Sequence, residues 1–177
     1  MQRNRPCGGC GEAVVFGRAG YSARCPGCGL EHYPRTDPAI IVAVSDGPRL
    51  LLGRQASWPP GRWSVLAGFV EPGESLEQAI AREVMEEAGI PVLECQYAAS
   101  QPWPFPAALM IGFQAQGLPL EPSVSDELEQ ARWFSADELD SAVAIGEIKL
   151  SPVLSISRWL IDEWLVQARA RREAAPA

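Results

Sequence analysis

Three glutamates, Glu83, Glu86 and Glu87, are the residues of this chain whose types and spacing speak most directly of chemistry. They stand at i, i+3 and i+4, and a helix of about 3.6 residues per turn puts such positions on one face. Three like charges within one turn repel, so something positive is needed to offset them. Carboxylate oxygens suit a hard divalent ion such as Mg2+ or Mn2+, and such ions usually accompany phosphates. Arg82, next to them in the chain, can hold a carboxylate through a fork of hydrogen bonds. A second constellation is Cys7, Cys10, Cys25 and Cys28, two CxxC pairs with fourteen residues between them. Each pair is a tight knuckle, and four thiolates suit tetrahedral Zn2+ in a closed, structural site. The plain alternatives are a solvated acidic helix face and four unrelated reduced thiols.

The elements that must position these groups can be read locally. Ser75 with Gln78 three residues later is an N-cap with a capping box. Gly89 followed by Pro91 closes the helix. Leu76, Ile80, Val84 and Ala88 form the apolar stripe beside the glutamates, which places the carboxylates at the rim of a buried helix. Residues 1–33 form a separate ribbon, read as a hairpin of Ala13 to Phe16 and Tyr21 to Arg24 around a turn at Gly17 to Gly20. A unit this small has no core of its own, so a metal supplies its folding energy. His32, the one histidine, reads as a surface or packing residue, and Cys95 as a buried thiol.

Beyond the ribbon, strands are expected at Ala39 to Val44, Leu50 to Leu52, Trp63 to Leu66, Pro91 to Ser100, Leu109 to Gln116 and Ala131 to Phe134. Gly117 to Asp126 reads as a loop. Ser135 with Glu138 caps a short helix, and Ser155 to Ala170 has the spacing of an amphipathic one. Strands and helices without strict βαβ alternation point to an α+β fold, a mixed sheet between helices. The main domain is expected over 34–170, with 171–177 as a disordered tail.

The chain has 177 residues and a formal net charge of −7. That charge argues against general binding to nucleic acid or to an anionic membrane. No stretch approaches a membrane span or a signal peptide, so a cytoplasmic location is expected. Five cysteines then read as metal ligands or core residues rather than disulfides.

Gly68 to Ile90, GFVEPGESLEQAIAREVMEEAGI, meets all nine defined positions of the Nudix box. The chain thus resembles the Nudix hydrolases, which cleave nucleoside diphosphates linked to another moiety. The resemblance implies their fold. It implies metal ligation by Glu83, Glu87 and the backbone carbonyl of Ala67. Glu86 is then available for a second ion or as base, and Arg82 orients the carboxylates.

After the box comes Ser100 to Pro106, SQPWPFP. Three prolines among two aromatics argue against an interior strand and for a stiff extended wall presenting Trp103 and Phe105 to a flat ring. A packed surface loop fits the same residues. The string is similar to the SQPWPFPxS motif of NADH pyrophosphatases of the NudC type, and similarity runs from Cys7 to about Ile161. It implies hydrolysis of NADH or NAD+ to AMP and the nicotinamide mononucleotide, removal of NAD caps from RNA, and a homodimer. Gln101 to Ala108 would line the dinucleotide site, with stacking from Tyr33 and Phe69. Glu127 would add a metal ligand, and Ser157 a backbone contact. Three departures stand out. The last serine of the motif is Ala108, a hairpin glutamate of the group is Gly20, and the further domain usual before the ribbon is not expected here. These leave a Nudix hydrolase of another substrate such as ADP-ribose, or a non-catalytic nucleotide-binding module, as competing readings.

Overall fold

The computed structural model describes residues 5–174. They fall into two compact units that divide between Thr36 and Asp37.

The first unit is a three-stranded antiparallel sheet of β1 (Val15–Gly17), β2 (Ser22–Arg24) and β3 (Glu31–His32), in that order. The hairpin is as expected, but the third strand was not legible. Two residues carry no periodicity, and β3 exists because Ala23 and Arg24 offer it a ladder. Little else is buried: Cys7, Cys25 and Ala23 are, together with Gly20. Such a unit holds far too little apolar area to fold by burial alone.

The second unit is a six-stranded mixed sheet. Its main path runs β7 (Val92–Trp103), β8 (Ala108–Gly117), β4 (Asp37–Ser45), β5 (Arg49–Arg54) and β9 (Gln130–Ser135), while β6 (Leu66–Phe69) pairs with β4. β4 and β8 are parallel, from Asp37 opposite Ala108 to Ser45 opposite Gln116. The remaining pairs are antiparallel. β4 is buried on both faces, and its period of two divides the core. Ile40, Val42 and Val44 join Ile80, Val84 and Ala88 of helix α1 (Leu76–Ala88) on one side. Ile41 and Ala43 join Leu139 of α2 (Ala136–Ala144) and Leu160, Ile161 and Trp164 of α3 (Ile156–Ala174) on the other. Each fully buried aliphatic side chain contributes roughly 1.5–3 kcal/mol. The expected mixed sheet between helices is therefore present.

Both capping boxes form, at Ser75 with Gln78 and at Ser135 with Glu138, and Gly89 ends α1 in the left-handed conformation. Four readings need correction. The strand expected over Trp63 to Leu66 begins at Leu66 and carries on to Phe69, because β4 offers a ladder there; Ser64 makes only a bridge to Gly53. The SQPWPFP stretch is not a separate wall. Its first four residues end β7, and the next turn leads into β8. Proline is tolerated there because β7 is an edge strand. Cys95 is half-buried rather than buried, since β7 has only one neighbouring strand. The helix expected to end at Ala170 continues to Ala174, so 171–174 are not a disordered tail; 175–177 lie outside the described residues. Arg169 and Arg172 of that last stretch are tied to Asp140 and Asp137 of α2, and basic residues suit a helix C-terminus.

Candidate active site

α1 and the strand that leads into it build the acidic site. Leu76, Ile80, Val84 and Ala88 anchor the helix against the sheet, and Glu83 and Glu87 follow them into the interior. Glu83 is 8% exposed and Glu87 3%. The pair is thus buried, not at a rim. Glu86 is turned about 100° from Glu87, and its side chain is 58% exposed. The three carboxylates expected on one face are therefore split, two inside and one outside.

β6 closes over the buried pair. A Cβ on Gly68 would stand 1.9 Å from the Glu83 carboxyl carbon, so only glycine lets the strand approach the carboxylate this closely. The backbone of the neighbouring Ala67 favours the ionised form of Glu87. Glu87 Oε2 is buried with no hydrogen-bond partner among the described residues. Burial pushes the Glu87 carboxyl up to about 8, helped by the charges of Glu83 and Glu127 and opposed by the Ala67 backbone. Burial likewise raises Glu83, against the pull of Arg82. Glu127, exposed in the turn before β9, lies close enough for its charge to act on both.

Arg82 is fully employed. Its guanidinium donates to both oxygens of Glu74 (3.1 and 2.6 Å), to Glu86 Oε2 (3.0 Å) and to the carbonyl of Phe69 (3.0 Å), and it stands 3.1 Å from Glu83 Oε1. Glu74 accepts from the Glu71 N–H as well, and the Arg82 fork holds its carboxyl below the usual carboxylate range. This lattice ties loop, strand and helix into one frame around Glu83. A buried carboxylate pair, one oxygen of it without a partner, under a close-fitting strand has the chemistry that suits a hard divalent cation.

The residues expected to meet a dinucleotide are spread over several elements of the second unit, with Tyr33 in the first. Trp103 and Phe105 are 41% and 75% exposed, with ring centroids 5.8 Å apart and edge to face. Phe69 is 58% exposed. The Gln101 carboxamide is spent on backbone: it donates to the Leu154 carbonyl (2.8 Å) and accepts from the Ile156 N–H (2.9 Å), fastening β7 to the start of α3. Ser157 is buried, its hydroxyl 2.7 Å from that of Ser64 and its N–H donated to Ser155 Oγ. Both side chains therefore hold the fold at this point. Contacts between residues so far apart in the chain leave no local trace in a sequence. Ala108 is 8% exposed, opposite Trp103 and Asp37.

In the ribbon, the four thiols gather within 4.8 Å of one another. Cys7 and Cys28 sulfurs stand 3.6 Å apart, and Cys10 and Cys25 sulfurs 3.4 Å. A tetrahedral zinc with bonds of ~2.3 Å separates its sulfurs by ~3.8 Å, so the set fits that ion. The two knuckles are alike. Gly11 and Gly29 adopt positive φ (81° and 77°) and donate to the carbonyls of Cys7 and Cys25. The Gly9 N–H points at Cys7 and the Cys28 N–H at Cys25, and each favours the thiolate; Cys25 is drawn down to about 7. His32 is no bystander, since its Nε2 lies 3.3 Å from Cys7 Sγ. The pairing of β3 with β2 brings it there, which is why sequence reading missed it. Tyr33 in the same unit is 64% exposed and donates its hydroxyl to Glu31.

Comparison with known proteins agrees with this anatomy. A family model described as the NUDIX domain matches residues 34–154, and one described as the NADH pyrophosphatase zinc ribbon domain matches residues 2–33. The NAD-capped RNA hydrolase NudC of Stutzerimonas stutzeri is 46% identical over 176 residues, which cover 98% of this chain and 60% of that protein. Its namesake from Mycobacterium bovis is 48% identical over 158 residues, covering 83% and 50%. This chain thus spans between half and three-fifths of the curated relatives it matches. Among solved structures, a NUDIX hydrolase from Nitrosomonas europaea superimposes with a TM-score of 0.70 at 26% identity, covering 98% of this chain and 95% of that one.

Proposed function

The chain belongs to the Nudix domain family, and from that premise we propose that it is a metal-dependent pyrophosphohydrolase of nicotinamide dinucleotides. NADH or NAD+ is cleaved to AMP and the nicotinamide mononucleotide, and the same bond is cut in an RNA that carries an NAD cap. The observation that carries the reading is the buried pair Glu83 and Glu87, with an unpartnered oxygen held under Gly68. The substrate rests on the SQPWPFP stretch with its exposed aromatic pair, and on relatives whose name specifies NAD-capped RNA.

Glu83, Glu87, Glu127 and the Ala67 carbonyl are the proposed holders of Mg2+ or Mn2+, with Glu86 beside them for a second ion. When bound, such an ion neutralises phosphate charge and makes a water acidic enough to attack. Arg82 fixes the carboxylates through its Glu74 fork. Trp103, Phe105 and Phe69 are exposed and flat, and offer stacking to nicotinamide and adenine rings. Ala108 contributes shape without a polar group, and Gln101 and Ser157 contribute by holding α3 in place. In the reaction a water oxygen bonds to one phosphorus, the bridging P–O bond breaks, and the water proton passes to a base, for which Glu86 is exposed and unburied. Zn2+ on Cys7, Cys10, Cys25 and Cys28 is structural. A homodimer in a reducing cytoplasm completes the proposal. Five unpaired cysteines suit that compartment, and no helix among the described residues is long and apolar enough to cross a membrane.

Turnover of NADH, NAD+, ADP-ribose and NAD-capped RNA with Mg2+ or Mn2+ tests the reading, with Glu87→Gln as control. NADH is expected to be the best small substrate. A preference for ADP-ribose, favoured by the missing serine at Ala108, would overturn the substrate. Undiminished turnover by Glu87→Gln would overturn the metal site, and no turnover of any of them would leave a binding module.

A further inference from the structure

Among the described arginines that stand in ion pairs, Arg54 at the end of β5 has the least exposed side chain, 14%, and Arg82 follows at 23%. Arg82 frames Glu83. Arg54 pairs instead with Glu129, far from it in the chain. Its other donors are poorly served. Nη2 points at the Trp58 carbonyl from 3.5 Å, and Nε is buried with no partner among the described residues. A half-served guanidinium drawn into the fold is a poor device for stability, because desolvation offsets most of what one ion pair returns.

What Arg54 holds is the turn that enters β9. Glu129 stands one residue before β9 and two residues after Glu127. The segment is fixed at successive residues. Leu128 is buried in the room that Gly53 leaves, where an added Cβ would stand 2.8 Å from Leu128 Cδ1. The Glu129 N–H donates to the Arg54 carbonyl (2.9 Å), and the Arg54 guanidinium closes on the Glu129 carboxylate. Opposite Arg54, Gln130 then begins the ladder of β5 with β9. Glu127 stands directly before this clamp, exposed, and its charge acts on Glu83 and Glu87. Like charges repel, so a turn free to move would carry Glu127 away from the buried pair.

We propose that Arg54 is a positioning residue of the acidic site: through Glu129 it holds Glu127 where that carboxylate can join Glu83 and Glu87 on a divalent ion. The two least exposed of the paired arginines then divide the work. Arg82 fixes a ligand on the helix, and Arg54 fixes one on the turn. Partners behind a metal ligand set affinity by limiting where the ligand can go. Arg54 acts without touching the ion or the substrate, so its effect falls on metal affinity and not on KM for NADH at saturating metal. The inference rests on the preceding reading of Glu127 as a ligand.

The test is isothermal titration of the full chain with Mn2+, in a double-mutant cycle of Arg54→Met and Glu127→Gln. Arg54→Met keeps an apolar stem and removes the fork. It is expected to weaken Mn2+ binding roughly tenfold, and Arg54→Lys to recover part of the loss. In the Glu127→Gln background Arg54→Met should weaken Mn2+ binding no further, whereas a merely structural role would act alike in both backgrounds. Urea midpoints identify any variant that has lost its fold. Glu129→Gln reaches the same clamp from its exposed side and is expected to weaken Mn2+ binding in the same way. At saturating Mn2+ the Arg54→Met variant should show the parental KM for NADH. Full Mn2+ affinity in Arg54→Met and Glu129→Gln, losses that add to that of Glu127→Gln, or a raised KM would overturn the inference and leave the enzyme reading standing. Unchanged Mn2+ affinity in Glu127→Gln would instead overturn Glu127 as a ligand, and the role of Arg54 with it.

Discussion

The thiol cluster and the acidic site both gather like charges, and they do so by opposite means. In the ribbon almost nothing is buried besides two of the cysteines and two small residues, so the ligands are themselves the core. In the second unit Glu83 and Glu87 sit on a helix held by Ile80, Val84 and Ala88 against a complete sheet. There the core stands without the ligands and forces them together at a cost in burial. One site makes its fold, whereas the other is imposed on a fold that exists without it.

The sharpest way to break this comparison is to remove the metals. Chelation of zinc, or Cys25→Ser, is expected to unfold residues 5–36 altogether, since zinc binding to such ribbons is worth roughly 10–16 kcal/mol. Hydrogen exchange should show protection lost there and kept across β4, β8 and α1. Equal loss in both units would end the distinction.

Gly68→Ala tests the imposed site. The added Cβ would collide with the Glu83 carboxyl, so metal affinity should fall roughly 10–100-fold while zinc content is unchanged. Isothermal titration with Mn2+ reads the first quantity and elemental analysis the second.

A smaller effect concerns pH. With the divalent ion chelated, Glu87 holds its proton up to about 8 in the folded chain and only to 4.5 in the unfolded one. The folded state therefore binds more protons between these values, and stability falls as pH rises from 4.5 through 8, then levels off. Urea midpoints at about pH 5 and about pH 9 should differ by a few kcal/mol in free energy. Glu87→Gln should flatten the slope, and a slope that persists in that variant would assign it to another group. The smallest effect expected is that of Arg172→Ala, whose exposed pair with Asp137 is worth about 0–1 kcal/mol. It should fray the last turn of α3 and leave both metal sites untouched.

The local chemistry of α1 was legible in the sequence: its capping box, its closing glycine and the spacing of its glutamates are all short-range. So were most strands, since β4, β5, β8 and β9 are compact apolar runs. What escaped depends on partners distant in the chain. Burial of Glu83 and Glu87 requires β6 to close over them. Gln101 looked like a ligand contact because nothing nearby announces that Leu154 and Ile156 consume its carboxamide. His32 looked idle until β3 carried it to Cys7.

The parallel pairing of β4 with β8 bears on how the molecule is made. Asp37 meets Ala108, and Ser45 meets Gln116, so the central strand cannot complete its ladder until β8 has left the ribosome. α1 lies between the two in the chain, and it and β6 are made before the sheet on which both pack can be completed. Loops of that span close slowly relative to hairpins and helices. During synthesis the carboxylates therefore remain hydrated and ionised on a nascent helix, and their desolvation comes late, when the arriving strand secures the sheet beneath them.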